Sequence, residues 1–321
     1  MRVLIVGSKS KWLMERSTQR ALTRDGHVTR VFDDRGKGRL FGAGMTQKRA
    51  LSAVRKFKPD FVLLGKCTGL DVETVAEMIA GKPNAMWYQD APLYRYINRP
   101  DIAHLAAVGR LVDNFFVSGF VNEWKGLGLK AKFLPSAADR QLGPVKPSKR
   151  FSSDVAFIGS GFDKSRATFL AKVGKRFDLK VWGEGWSEWR KEVNWTGRPV
   201  RGHDFAGVCS SAKIVLGITP PSARGATNYT SERTWMVIQA GGLYLGQATD
   251  GMTRLLRDGD HCASYKDLEQ CLERCAYYLA NPATRERVRV QGQHFVDEHH
   301  TYDQRIHNIL AGEEFVNPLS L

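Results

Sequence analysis

Short apolar runs alternate with longer amphipathic stretches through the first half of the chain. Val3–Val6, Val28–Phe32, Phe61–Leu64, Asn84–Tyr88, Asn114–Val117 and Ala131–Leu134 read as strands. Between them, Trp12–Arg24, Leu51–Phe57, Val72–Ile79 and Ile102–Val108 carry helical spacing, and the Gly26-His27 break ends the first of these. Strands that alternate with helices predict a parallel sheet covered on both faces. The pattern stops in PSAADRQLGPVKPSKRFSS, residues 135–153, where Pro, Ser and basic residues read as a linker. It then resumes. Val155–Ile158, Leu179–Trp182, Ile214–Ile218 and Leu243–Gly246 are predicted strands, with helices over 164–175, 231–240, 266–280 and 283–297. The expected fold class is α/β with two Rossmann-like parallel-sheet domains. Their expected bounds are 1–150 and 151–301, with a last helix in 302–321 that packs back toward the first domain. Open parallel sheets bind ligands beyond the carboxyl ends of their strands, so the domains are expected to face each other across a cleft.

Charge changes this picture more than composition does. Residues 1–150 hold 27 Lys/Arg against 13 Asp/Glu, or 27 − 13 = +14, and the remainder holds 21 against 20, or +1. A front half so basic is expected to meet a polyanion. No run of about 18 apolar residues is present, so no membrane span is expected. The start MRVLIVG reads as a strand, not a signal peptide, and the expected location is cytoplasmic. The five cysteines form no CxxC pair and read as reduced core thiols. Cys271 and Cys275 share a helix face, but two ligands do not make a zinc site.

Three loops at strand ends carry candidate chemistry. Gly159-Ser160-Gly161 leaves a strand before a helix, where glycine admits a close phosphate and free amides favour an anion. Trp182-Gly183-Glu184-Gly185 is a second such turn, with room for a base or ribose. In Asn228-Tyr229-Thr230-Ser231-Glu232-Arg233, Thr230 or Ser231 caps a helix whose N-terminus suits a diphosphate, and Arg233 adds a charged contact. Each has a plainer reading: a β–α turn, aromatic packing, or simple capping. The dinucleotide fingerprint GxGxxG is absent.

Taken in order, these loops resemble the CgeB-like glycosyltransferases. The likeness runs from Asp154 to Leu310 through DVAFIGSGF, LKVWGEGW, AKIVLGI, SERTW with QAGG, and GQHFVDEHHTYDQRI. It implies the two-Rossmann GT-B fold and a nucleotide-diphosphate sugar donor, expected to be a UDP-sugar. The donor-binding set is then Ser160, Gly161, Trp182, Gly183, Glu184, Tyr229, Thr230, Ser231 and Arg233. Enzymes of this plan rarely need a bound metal, so none is expected. One position departs: Met236 stands where the family usually has the Glu that holds the donor ribose. His299, His300 and Tyr302 match the family's terminal helix start and read as packing or capping residues.

In the front half, Asp90 ends a strand at the edge of the expected cleft and is the candidate general base; a turn or capping Asp is the plainer alternative. Ser8, Lys9, Lys11 and Trp12 occupy the loop after the first strand and are candidate acceptor contacts. Arg35, Lys37 and Arg39 lie in a Gly-rich basic stretch suited to phosphate contacts. The expected activity is sugar transfer to a hydroxyl on a polyanion. The first choice is double-stranded DNA bearing a hydroxymethylated base, the acceptor of phage DNA glucosyltransferases, which requires base extrusion. A cell-surface or spore-coat polysaccharide is the rival acceptor. An inactive GT-B module that binds nucleic acid is the rival of another class, supported by Met236. A monomer is expected.

Overall fold

The computed structural model describes residues 1–34, 43–90, 100–220, 223 and 225–320. The chain divides into two compact units.

The first unit comprises Met1–Pro135 with Tyr302–Val316. Its strands β1 (Arg2–Val6), β2 (Val28–Phe32), β3 (Phe61–Leu64), β4 (Asn84–Tyr88), β5 (Asn114–Val117) and β6 (Ala131–Phe133) form one parallel sheet, ordered β2-β1-β3-β4-β5-β6. Helices α1 (Met14–Arg24), α2 (Ala43–Phe57), α3 (Val72–Ile79), α4 (Pro100–Leu111) and α5 (Val121–Gly126) make the connections. Strands β3 and β4 are buried at every position, as strands covered on both faces must be. From β1 the chain passes outward to β2 and then returns to β3 on the other flank. The sheet's switch point, where ligands of such folds settle, therefore lies between β1 and β3.

The second unit comprises Ser136–Thr301 with Asn317–Leu321, so the stretch that reads as a linker clusters here. Its strands are β7 (Ser153–Ile158), β8 (Leu179–Trp182), β9 (Ala212–Gly217), β10 (Tyr244–Gln247) and β11 (Ala263–Tyr265). They form a second parallel sheet, ordered β11-β10-β9-β7-β8. Between them run α6 (Lys164–Gly174), α7 (His203–Ser211), α8 (Glu232–Gln239) and α9 (Asp250–Leu255), followed by α10 (Leu268–Ala280) and α11 (Pro282–His299). The switch point is between β7 and β9. Cys271 and Cys275 are fully buried core residues.

The last helix, α12 (Tyr302–Ala311), belongs to the first unit and packs on α1. Arg24 forks onto Asp303 with two bonds of 2.8 Å, and Tyr302 meets Trp87 edge-on at 5.6 Å. These assignments correct the charge contrast of the two sequence halves. Residues 136–150 carry +3 into the second unit, and residues 302–316 carry −2 into the first. The unit charges become 24 − 15 = +9 and 24 − 18 = +6. The first unit remains basic, but the second is basic as well.

Sequence periodicity misses α7, α9 and β11. Helix α7 runs straight into β9 and contains Gly207 and two serines, which weaken its helical signal. Strand β11 is a three-residue sheet edge.

Candidate functional site

In the second unit the loops after β7 and β8 are stitched into one platform. The Gly159 amide donates to the Trp182 carbonyl at 2.8 Å, and the Gly161 amide to the Glu184 carbonyl at 2.8 Å. The Trp186 indole donates to the Gly159 carbonyl at 2.7 Å, and the Trp195 indole to the Gly183 carbonyl at 2.9 Å. A Cβ on Gly183 would lie 1.9 Å from the Gly159 carbonyl oxygen, and φ there is +143°, so only glycine fits. The Gly159 and Gly161 amides are thus already engaged. Their glycines serve the approach of one turn to the other. Trp182 is buried, with Phe151 edge-on at 5.7 Å and the Arg198 guanidinium 5.7 Å from its ring. Its indole nitrogen is buried and has no hydrogen-bond partner among the described residues. The Glu184 side chain is exposed, 3.5 Å from Arg201.

Two arginines supply the positive charge at this switch point. Arg166, in the first turn of α6, donates to the Ser160 carbonyl at 2.9 Å and to the Ile218 carbonyl at 3.3 Å. It thereby ties the loop after β7 to the loop after β9. Arg233, in the first turn of α8, sits where a Cβ on Gly159 would be 3.2 Å from its Cζ. Both guanidiniums lie against Phe157, at 5.5 and 5.8 Å from the ring centroid. The Arg233 guanidinium makes no hydrogen bond or ion pair with a described residue. Burial, and then the charge of Arg233, lower the Arg166 pKa to about 10 against an opposing pull from Asp163. Burial lowers that of Arg233 as well. Desolvated cations beside a glycine turn favour an incoming anion.

The segment before α8 is held from behind. Ser231 caps the helix, its Oγ accepting from the Arg233 amide at 3.3 Å. Thr230 is buried, its Oγ without a partner, and its carbonyl accepts from Ser136 Oγ at 3.4 Å. The Asn228 amide donates to Asp250 at 2.8 Å, which holds that carboxyl below its ordinary pKa. Gly251 packs directly on Tyr229, whose carbonyl accepts from Thr249 Oγ at 3.4 Å. Sequence reasoning does not find Asp250, because the contact spans two loops. Met236 lies in the second turn of α8 and is half-buried.

In the first unit, the loop after β1 and the ends of β3 and β4 carry the polar groups. Glu15 is buried beneath them and accepts from the Ser8 amide at 3.0 Å. A Cβ on Gly7 would meet its Oε1 at 2.3 Å. Ser8 Oγ accepts from the Ser10 amide at 3.1 Å. Trp12 is half-buried, with Lys11 Nζ at 4.9 Å and Arg20 at 5.9 Å from its ring. Lys9 is exposed. Asp90 is exposed just past β4, and its carboxylate is paired with Lys66, which follows β3 and also lies 5.7 Å from the Tyr88 ring. Lys66 is a residue that sequence reasoning misses. Arg35, Lys37 and Arg39 lie outside the described residues. Among the described residues, no three His, Cys, Asp or Glu side chains converge as metal ligands would. No described helix is long and apolar enough to cross a membrane.

Residues 166–311 match the family model described as "Glycosyl transferase-like". No curated protein matches the chain in sequence. Solved structures match it end to end. An α-glucosyltransferase in complex with UDP and a 13-mer DNA containing an HMU base is 10% identical, with a TM-score of 0.70 over 97% of this chain and 99% of that one. HepE of Anabaena in complex with UDP-glucose is 11% identical, with a TM-score of 0.69 over 97% and 99%. Sucrose-phosphate synthase from Thermosynechococcus elongatus is 11% identical, with a TM-score of 0.68 over 97% and 98%. The fold is α/β with two parallel sheets, the GT-B plan. The family match over residues 166–311 gives the class of enzyme, a glycosyltransferase.

Proposed function

We propose that the protein transfers a sugar from a UDP-sugar to a hydroxyl on DNA, at a hydroxymethylated base. The observation that carries the donor half is the Arg166–Arg233 pair at the β7/β9 switch point. The diphosphate accepts from Arg233 and from the N-terminus of α8, where capping and helix dipole favour an anion. Arg166 keeps its loop bonds and contributes charge. As the acceptor oxygen forms its bond to the anomeric carbon, the bond from that carbon to the diphosphate breaks, and the two guanidiniums stabilise the departing charge. Ser160 and Gly161 shape the floor, Trp182 and Gly183 support it from below, Glu184 borders it, and Tyr229, Thr230 and Ser231 line the approach to α8. With Met236 in place of an acidic residue, the ribose is held by other groups. No metal is required where arginines and a helix terminus carry this charge.

The acceptor half is supported by the +9 charge of the first unit and by the DNA-bound α-glucosyltransferase of the same fold. Asp90 takes the acceptor proton, and Lys66 orients its carboxylate. Ser8, Lys9, Lys11 and Trp12 contact the acceptor, as do Arg35, Lys37 and Arg39. The second reading, an acidic polysaccharide acceptor, gains from the second unit's +6, which makes the charge less selective for one face. The test is a coupled assay for UDP release with a panel of UDP-sugars. Release that depends on a hydroxymethylated duplex supports the proposal. Release that depends on an acidic polysaccharide and not on DNA overturns its acceptor half.

A further inference from the structure

The first unit carries a second charged feature, separate from the Lys66–Asp90 pair. Beside the carboxyl end of β2 lies a hollow of about 330 Å³, lined by Lys9, Arg30, Asp33, Arg49, Ser52 and Lys56. Its four cations come from three elements. Lys9 belongs to the loop after β1, Arg30 to β2, and Arg49 and Lys56 to α2. On α2 the lining positions Arg49, Ser52, Ala53 and Lys56 follow an i, i+3, i+4, i+7 spacing, so one stripe of the helix faces the hollow. None of the four cations makes a side-chain hydrogen bond or an ion pair with a described residue. All four are exposed, and one carboxylate, Asp33, stands among them. Four like charges around one hollow repel each other when it is empty, and a bound anion reverses that sign.

We propose that this hollow is a phosphate-binding subsite that holds the backbone of a nucleic-acid acceptor. The proposal rests on the DNA reading above and adds where the strand is gripped. The spacing favours a phosphodiester chain. Arg49 and Lys56 are seven residues apart, about 10.5 Å along the helix at 1.5 Å per residue. Successive phosphates of one strand advance by about 3.4 Å along the duplex axis, so the stripe spans about three of them. A polysaccharide charged only once per several sugars presents its charges too sparsely to fill four cations at once, and a densely charged one is distinguished by the test below. Phosphate contacts of this kind set register and carry no sequence information.

The test is a double variant, Arg49→Ala with Lys56→Ala, in the full chain. Both side chains are exposed on α2, and a thermal melt checks that the fold persists. Affinity for a fluorescent hydroxymethylated duplex is measured against salt. Each lost phosphate contact removes about 0.9 from the log–log slope, so the slope is expected to flatten by about 1.8 while UDP affinity is unchanged. The control is Lys172→Ala with Lys175→Ala, in the last turn of α6 and just after it, which removes the same charge elsewhere and is expected to leave the slope alone. Equal flattening in the control overturns the subsite, since net charge alone then explains binding. So does an unchanged slope in the Arg49/Lys56 variant. If that variant loses a sulfated or carboxylated polysaccharide that the unmutated protein binds more tightly than DNA, the nucleic-acid assignment is overturned. The acceptor reading fails separately, when the unmutated protein transfers no sugar to the duplex. A subsite supported by the slopes survives that failure as a nucleic-acid site without transfer.

Discussion

Arg166 and Arg233 bring two guanidinium groups to one ring, lying 5.5 and 5.8 Å from the centroid of Phe157. Among the described residues, Arg166 is held by the carbonyls of Ser160 and Ile218, and the Arg233 guanidinium by none. The two arginines therefore differ in their contacts: Arg166 joins two loops, and on the proposed reading Arg233 is the one that binds the diphosphate. Loss of Arg233 should weaken UDP binding by about 1.5–3 kcal/mol, the range for a hydrogen bond to a charged group. Calorimetry of Arg233→Ala with UDP checks this, and an unchanged affinity would move the diphosphate elsewhere. Arg166→Ala should lower the melting temperature as well as UDP affinity, a combination not expected of Arg233→Ala.

The stitched turns make a stability prediction independent of any ligand. Gly183→Ala forces a Cβ into the Gly159 carbonyl oxygen at a backbone angle that L-residues rarely adopt. Strain and overpacking together should cost about 2–5 kcal/mol. Denaturant unfolding would reveal the loss; a near-normal midpoint would mean that the two turns are not locked as described.

Asp90→Asn keeps the shape of the side chain and removes its basic lone pair. Turnover should fall by about 100- to 10,000-fold with UDP affinity intact. Lys66→Met should alter the pH–rate profile more than it alters UDP binding, because the ammonium pairs with the Asp90 carboxylate. Full turnover in Asp90→Asn would shift attention to the loop at Ser8–Trp12.

Acid should destabilise the second unit through His261. Its ring stacks on Phe295 at 3.8 Å, and its Nδ1 accepts from the Arg257 amide at 3.3 Å. Burial holds its pKa below the ordinary 6.5. The unfolded chain then takes up the proton first as pH falls, so this contribution to stability is present above about pH 6.5 and declines below it. Melting temperatures recorded from pH 7.5 to 5 should fall, and His261→Phe should flatten that fall. An equal fall in the variant would assign it to other groups.

Much of the fold is legible in the sequence, because strands buried on both faces leave unbroken apolar runs such as Phe61–Leu64 and Ala85–Tyr88. The three loops of the second unit are also legible as turns. What their atoms do is not. Whether the Gly159 amide meets a phosphate or the Trp182 carbonyl depends on β8 lying beside β7, a matter of sheet order. The Lys66–Asp90 pair joins the ends of two strands 24 residues apart, and no local pattern announces it. Charge misleads in the same way: the +14 of residues 1–150 shrinks to +9 once residues 136–150 leave the unit and the acidic tail of 302–316 joins it.

The most direct measurement is mass spectrometry of nucleosides digested from a hydroxymethylated duplex after incubation with the unmutated protein and each of several UDP-sugars. The expected result is a hydroxymethyl nucleoside heavier by one glycosyl unit with at least one donor, absent from unmodified duplex and from the Arg233→Ala reaction. Consumption of a UDP-sugar with every nucleoside unchanged would contradict transfer to DNA.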